Sequence, residues 1–140
     1  MLYMAGDHYA ADFLRDIEQY LTLRGIEYQR LPFDGTAPLQ EIIPALVQRV
    51  RSTSSGSGIL ACGTGIGVTI GANRFPKIRA ALCVQPQQAK FARVYDDANV
   101  LCLGSWTTTN PEEVLDAWFG NEFDGDADRR LMIEEFDAWS

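Results

Sequence analysis

The residues best suited to chemistry lie in the stretch Gly-Ile-Leu-Ala-Cys-Gly-Thr-Gly-Ile-Gly at positions 58–67. Cys62 ends a short apolar segment, and glycines follow it at every second position, at Gly63, Gly65 and Gly67. Glycines let backbone N–H groups approach a ligand closely, and the start of a helix attracts anions. A sulfur beside such groups is favoured as thiolate, which can act as a base or a nucleophile. The stretch therefore predicts a loop that stabilises negative charge next to a reactive sulfur.

The same stretch also has a purely structural explanation. Cysteine is among the most buried residue types, and a cysteine at the end of a core strand often only packs. The stretch is not a P-loop, because no Gly-Lys-Ser/Thr ends it, and its glycine spacing is not that of a dinucleotide-binding loop. The local sequence alone leaves the functional role and the packing role equally open.

Composition bounds the class of protein. The 140 residues suit one domain, expected over residues 1–140, and the formal net charge of -7 argues against nucleic acid as a partner. No apolar run has the length of a membrane span, and the first residues do not resemble a signal peptide. Three dispersed cysteines and one histidine argue against a disulfide framework and a metal centre. We expect a cytoplasmic protein that needs no metal or organic cofactor.

Apolar patterning predicts strands and helices in alternation. Strands are expected at residues 2–5, 26–31, 58–61, 78–84 and 100–103. Helices are expected at residues 10–21, 42–50, 65–73, 86–95 and 111–120, with a last acidic helix at 126–138. Five β-α repeats predict an open, doubly wound parallel sheet of five strands, a Rossmann-like α/β/α sandwich with an extra C-terminal helix. Ligands of such sheets bind beyond the carboxyl ends of the strands, where the 58–67 loop would lie.

Several motifs resemble one known family, the type B ribose-5-phosphate and galactose-6-phosphate isomerases. They are Asp7-His8, the stretch at 58–67, Ala72-Asn73, Ile-Arg-Ala-Ala-Leu-Cys at 78–83 and Asp-Ala-Asn-Val-Leu at 97–101. The resemblance covers nearly the whole chain in order. It implies the fold described above and the isomerisation of a small sugar phosphate between aldose and ketose through a cis-enediolate. It also implies an active site between subunits, and the apolar residues of the last helix favour a homodimer or homotetramer.

The resemblance gives roles to the residues around the loop. Cys62 matches the catalytic base, and Thr64 offers a hydroxyl to a sugar oxygen or to the base. The backbone cradle for the enediolate oxygens falls on Gly63, Gly65, Ile66 and Gly67. Asp7 and His8 match a pair that contacts the sugar hydroxyls and the phosphate end, although His8 could also only cap its loop. Asn73 is a further candidate for substrate binding.

The sequence departs from the family at the remaining positions. Tyr95 and Asp96 stand where the family has its ring-opening histidine and an asparagine, and Asp96 could serve as the ring-opening base. Trp106 replaces the arginine of a Gly-x-Arg motif. The C-terminal arginine positions of the family fall on Ala127 and Leu131, so the substitutes for phosphate binding are Arg129 and Arg130. Neighbouring aspartates weaken that site, and both arginines could instead be surface residues.

These departures leave three functions open. The chain could isomerise a sugar phosphate with altered substrate choice. It could isomerise an unphosphorylated or differently charged sugar, with Trp106 offering an apolar face to the ring. It could also be a non-catalytic subunit that needs a related partner chain, because the galactose-6-phosphate enzymes are built from two related chains. A plain ligand-binding module would leave Cys62 unexplained.

Overall fold

The computed structural model describes residues 1–139, and its centre is one parallel sheet with the strand order β2-β1-β3-β5-β4. The strands are β1 (Leu2–Gly6), β2 (Tyr28–Arg30), β3 (Ser57–Cys62), β4 (Ala80–Leu82) and β5 (Val100–Gly104). The helices are α1 (Ala11–Leu23), α2 (Leu39–Ser52), α3 (Ile66–Ala72), α4 (Pro86–Asp96), α5 (Pro111–Phe119) and α6 (Ala127–Ala138). A 3-10 turn at His8–Ala10 leads into α1. The doubly wound five-stranded sheet and the extra C-terminal helix are confirmed.

Two apolar cores lie on opposite faces of the sheet. One face packs against α1, α4 and α5, with Leu14, Leu115 and Trp118 among the buried residues. The other face packs against α2 and α3, with Leu46 and Val68 among the buried residues. The inner strands β3 and β5 are covered on both faces, as the near-continuous apolar runs of parallel strands require. This double cover fixes the carboxyl ends of β1, β3 and β5 side by side.

The two edge strands are shorter than the sequence suggests. The strand expected at 78–84 pairs only over Ala80–Leu82, and all three of its residues are half-buried. The Asn73 side chain donates to the Ala80 carbonyl at 2.9 Å and accepts from the Ala80 N–H at 2.8 Å. This amide occupies backbone groups that would otherwise stay unpaired at the edge. Before the strand, Lys77 takes a left-handed conformation with φ of 67°, which delays pairing until Ala80.

The helices begin and end at the glycine, proline and capping residues of the sequence. Gly25, with φ of 68°, closes α1, and the N–H groups of Gly25 and Ile26 bond to the carbonyls of Thr22 and Leu21. Pro86 lies in the first turn of α4, where Gln85 and Gln88 form a capping box. Asn110 precedes Pro111 at the start of α5, but its side chain makes no capping hydrogen bond. Across residues 1–139, every helix is too short or too polar to cross a bilayer.

Candidate active site

Cys62 is the last residue of β3, between the ends of β1 and β5. Its side chain is only 5% exposed, and the backbone N–H of Gly65 donates to its Sγ at 3.2 Å. The sulfur therefore has a polar partner inside the loop rather than a purely apolar environment.

The loop after Cys62 is held in one conformation by close packing. Gly65 has φ of 75°, and a Cβ at this position would lie 2.9 Å from the carbonyl carbon of Leu103. The N–H of Ile66, which begins α3, donates to Thr64 Oγ1 at 3.1 Å. Two of the four cradle N–H groups expected from the sequence, those of Gly65 and Ile66, therefore already have partners within the loop. A bound oxyanion would compete with Cys62 and Thr64 for them.

The β5–α5 loop ties down three consecutive carbonyls of the Cys62 loop. The N–H of Ser105 donates to the Cys62 carbonyl at 2.9 Å, and the N–H of Trp106 donates to the Gly63 carbonyl at 2.8 Å. Thr107 Oγ1 then donates to the Thr64 carbonyl at 3.3 Å. Such support from a neighbouring loop holds a catalytic group in a fixed geometry.

Aromatic side chains stand beside the loop. The Trp106 indole lies against Gly63, where a Cβ would come within 2.8 Å of the ring. The Tyr9 and Trp106 rings contact edge to face, with their centroids 5.1 Å apart. The centroids of the His8 and Tyr9 rings are 3.9 Å apart. Asp7 Oδ1 accepts from the Tyr9 N–H at 3.1 Å and thereby caps the 3-10 turn. The residues at 7–9 and 105–107 thus form one surface with the Cys62 loop.

Comparison with known proteins identifies the family. The sequence model of the ribose/galactose isomerases matches residues 2–133. The chain belongs to this family. It is 43% identical over 126 residues to ribose-5-phosphate isomerase B of Escherichia coli, with 85% of this chain and 83% of that protein covered. It is 34% identical over 128 residues to D-erythrulose-4-phosphate isomerase of Pectobacterium atrosepticum, with 87% and 84% covered.

A solved structure of the family supports the same assignment. The ribose 5-phosphate isomerase of Thermotoga maritima superposes with a TM-score of 0.90 at 31% sequence identity, and 99% of this chain and 97% of that chain are covered. The agreement includes the C-terminal helix, because nearly the whole length of both chains is covered. The fold expected from the family resemblance is therefore confirmed over its full length.

The ring-opening and phosphate candidates of this family member lie together, away from the Cys62 loop of their own chain. Tyr95 and Asp96 end α4, which starts at the carboxyl edge of the sheet with Pro86 and runs back for about 14 Å to Tyr95. Asp96 lines a cleft of about 610 Å³ that also includes Asn73 and Trp139. The guanidinium of Arg129 lies 4.8 Å from the centre of the Tyr95 ring.

The two candidate phosphate-binding arginines have intrachain partners. Arg129 forms ion pairs with Asp124 and, at 4.0 Å, with Asp126. The backbone N–H of Asp126, followed by Arg129, holds the pKa of the Asp124 carboxyl below its usual value. Arg130 lies over the Phe123 ring at 5.2 Å. Neither arginine therefore projects as a free cation toward the Cys62 loop of the same chain.

Charge is scarce at the carboxyl edge of the sheet. The five loops that follow the strands there contain no lysine or arginine, and their ionisable groups include Asp7, His8 and Asp34. Like charges repel at short distance, so this edge alone offers little attraction to a phosphate. Any cation for a phosphate must therefore come from outside the loops that follow the strands, as the replacement of the family's arginine by Trp106 suggests.

The other two cysteines are core residues, as the sequence suggested. Cys83 and Cys102 are fully buried, and burial raises the pKa of each thiol to about 12. Neither thiol is available as a base near neutral pH, so Cys62 is the candidate for proton transfer.

Three residues of the site surface were not singled out from the sequence: Tyr9, Ser105 and Thr107. Each lies next to a residue that was. The signal that points to them is topological, because the loops after β1 and β5 flank the loop after β3 at one edge of the sheet.

Proposed function

We propose that the chain is an aldose–ketose isomerase of a small sugar phosphate, of the ribose 5-phosphate/ribulose 5-phosphate type. The observation that carries the proposal is the Cys62 sulfur at the carboxyl end of β3, hydrogen-bonded to the N–H of Gly65. Membership of the ribose/galactose isomerase family supports the reaction class, and the names of the two curated relatives support a phosphorylated aldose or ketose as substrate.

Cys62 takes the proton from the substrate carbon beside the carbonyl and returns it to the adjacent carbon. When the thiolate takes up the proton, its hydrogen bond from the Gly65 N–H weakens. At the same time, negative charge develops on the enediolate oxygens. The N–H groups of Gly65 and Ile66 then donate to those oxygens, because hydrogen bonds to charged acceptors are stronger. Gly63 and Gly67 complete the proposed cradle, and the Thr64 hydroxyl moves a proton between the two substrate oxygens.

A second copy of the chain supplies the remaining groups in this proposal. Tyr95 and Asp96 open the sugar ring, and Arg129 and Arg130 bind the phosphate, each from the partner of the subunit that holds Cys62. The separation of these residues from their own Cys62 loop supports this arrangement, together with the lack of lysine and arginine at the carboxyl edge. We therefore propose a homodimer or homotetramer of single-domain chains (residues 1–140) in the cytoplasm, and gel filtration showing only monomer would contradict it.

Asp7 and His8 contact the sugar hydroxyls in this proposal. Their support is their position at the end of β1, next to the Cys62 loop. Asn73 and Trp106 were also expected to bind substrate. The Trp106 side chain lies against Gly63 of the Cys62 loop. The Asn73 amide is instead hydrogen-bonded to the backbone of Ala80.

Proton exchange in heavy water tests the proposal directly. A panel of tetrose, pentose and hexose phosphates, with the parent sugars beside it, is incubated with the native chain and with Cys62→Ala. The native chain should exchange the proton next to the carbonyl in a phosphorylated sugar, and Cys62→Ala should lose at least about 100-fold in rate, as expected for a general base. The Cys83→Ala variant is the control for loss of a thiol elsewhere. Exchange by Cys62→Ala at the native rate would show that another group is the base.

The unphosphorylated-sugar hypothesis is the second candidate, and one observation favours it. Arg129 is engaged by Asp124 and Asp126, and the loops at the carboxyl edge contain no lysine or arginine. Exchange of free sugars but not of their phosphates would support this candidate. No exchange across the whole panel would instead favour the non-catalytic subunit, and mixing with a related chain would then be the next measurement.

A further inference from the structure

We propose that Tyr9 and Trp106 form an aromatic wall of the substrate site that determines which sugars the enzyme accepts. The inference rests on the proposed isomerase function, because it names the residues that select among substrates of that same site. The aromatic wall is defined as the Tyr9 and Trp106 side chains together, at the ends of β1 and β5.

Both side chains are large, apolar in their ring faces and open to solvent. Trp106 is 63% exposed and Tyr9 is 53% exposed, whereas Trp118 in the core is 3% exposed. Burial of an aromatic ring is a large source of stability, so two neighbouring rings left in water contribute little to folding. An exposed apolar patch beside a candidate catalytic loop is typical of a ligand-binding surface.

The wall is positioned by hydrogen bonds rather than by its own packing in the core. Ser105 Oγ donates to the Tyr9 carbonyl at 2.8 Å, which joins the loop after β1 to the loop after β5. The Trp106 N–H is fixed on the Gly63 carbonyl at 2.8 Å. The backbones that carry both rings are therefore held in place beside the residue that follows Cys62, as a selective site requires.

The chemistry of the wall indicates what it contacts. The face of an aromatic ring is negative, and it attracts the weakly positive C–H groups on the flat side of a sugar. A ring offers no charge and no strong donor in that direction, so it does not hold a phosphate. We assign to the wall the carbon chain of the sugar between the reacting carbons and the phosphate.

The position of Trp106 also limits space. The indole lies so close to Gly63 that a single added Cβ would meet it at 2.8 Å. In this proposal, a substrate whose reacting carbons reach Cys62 places its remaining carbons beside the ring. We infer that the wall favours sugar phosphates of four or five carbons over those of six.

Binding is tested by fluorescence in a Trp139→Phe background, which removes the other exposed tryptophan, 62% exposed on its own helix end. The probes are phosphorylated four-carbon and five-carbon aldonohydroxamates, which resemble the enediolate and need no turnover. Saturable quenching is expected, and it should disappear in the Trp106→Leu double variant. Quenching that persists without Trp106, or no quenching in spite of binding seen by calorimetry, would overturn the proposal.

Selectivity is tested by kinetics on the same panel. Trp106→Leu and Tyr9→Leu should each raise the KM for four- and five-carbon substrates about tenfold and raise the relative kcat/KM for six-carbon substrates. Leu23→Ala, which truncates an exposed apolar side chain at the end of α1, is the control and should leave these ratios unchanged. Unchanged ratios in Trp106→Leu, with an active enzyme, would overturn the wall and leave the isomerase standing. If the native chain turns over no sugar, the proposed function fails, and the hydroxamate titration still decides whether the wall binds.

Discussion

The Cys62 loop and the C-terminal helix use their polar groups in opposite ways. In the loop, the carbonyls of Cys62, Gly63 and Thr64 are bound by the neighbouring loop, while the sulfur keeps one N–H donor. The five loops that follow the strands at this edge contain no lysine or arginine. At α6, by contrast, charged side chains are plentiful and the Arg129 guanidinium is already engaged, because it pairs with Asp124 and Asp126 and lies over the Tyr95 ring.

This difference separates the two halves of an isomerase reaction. Proton transfer needs a base and fixed N–H donors within a few ångström, and one chain assembles those by itself. Cations strengthen phosphate binding, and one chain places Arg129 beside Tyr95 at the end of α4, which runs away from the carboxyl edge of the sheet. We infer that the loop determines the chemistry, while the α4–α6 region determines which charged substrate is held and depends on assembly.

The largest effect is expected from Gly65→Ala, which breaks the loop side of the comparison. The new Cβ would lie 2.9 Å from the Leu103 carbonyl carbon and 3.0 Å from the Gly104 nitrogen, both backbone atoms that cannot move aside. The N–H donor to Cys62 would shift, so proton exchange should fall at least about 100-fold, in the range lost when oxyanion donors are removed. The measurement is exchange in heavy water, together with the free energy of unfolding.

Gly25→Ala is the matched control for Gly65→Ala. Gly25 has a similar φ of 68° but nothing within 4 Å of an added Cβ. It should cost only the strain of a left-handed alanine, about 1 kcal/mol, and leave exchange unchanged. Equal loss of activity in both variants would show that general destabilisation, not loop geometry, lowers the rate.

The α6 region is tested by substituting Arg129 or by weakening its ion pair with Asp124. Arg129→Gln should raise the KM for a phosphorylated sugar about tenfold with kcat unchanged, since a charged hydrogen bond contributes about 1.5–3 kcal/mol. Asp124→Asn weakens the intrachain ion pair and should lower the same KM. The check is the KM and kcat of both variants on one sugar phosphate. If neither KM moves, Arg129 is a surface residue, and the unphosphorylated-sugar hypothesis gains support.

The Cys62 loop is more predictable from the sequence than the α6 region. The loop after Cys62 is local: strand, glycines and helix start follow one another, so Gly63 and Gly65 could be placed from ten residues. Its support by Trp106 and Ser105 is distant in sequence, but the β-α order brings both loops to one edge. For the loop, the pattern predicted its position after β3, and the topology explains why its neighbours Tyr9, Ser105 and Thr107, which were not singled out, lie beside it.

The edge strand and the partners of Arg129 were less predictable. The apolar run at 78–84 is typical of a buried strand, yet Asn73 and the turn at Lys77 restrict β4 to three residues. Asn73 matched a family motif and was expected to bind substrate, but its amide pairs with a strand seven residues away. The partners of Arg129 depend on side-chain conformations, which no periodicity in the sequence determines.

Alkaline pH sharpens the contrast between Cys62 and the core thiols. The pKa values of Cys83 and Cys102 are about 12 in the folded chain, because burial disfavours the thiolate, while an unfolded thiol ionises near 8.5. The unfolded chain then holds fewer protons, so stability should fall from about pH 8.5 to 12, by about 1.4 kcal/mol per pH unit for each thiol. Denaturant unfolding of the native protein and of Cys83→Ala across this range measures how steeply the free energy of unfolding falls with pH. The fall should be smaller in the variant by the contribution of one thiol, about 1.4 kcal/mol per pH unit. Equal slopes would contradict the pKa shift of Cys83.

The smallest effect is expected from Asn73→Ala. Removal of the amide leaves the N–H and carbonyl of Ala80 without their partner at the sheet edge, where water replaces it in part. The loss should be about 1 kcal/mol, which corresponds to a fall in Tm of about 3 °C, with KM and kcat unchanged. Thermal unfolding and kinetics of the same preparation separate the two roles of Asn73. A raised KM at unchanged Tm would show that the Asn73 amide contacts the substrate, as the motif at Ala72-Asn73 suggests. The edge of β4 would then be part of the substrate site and not only of the sheet.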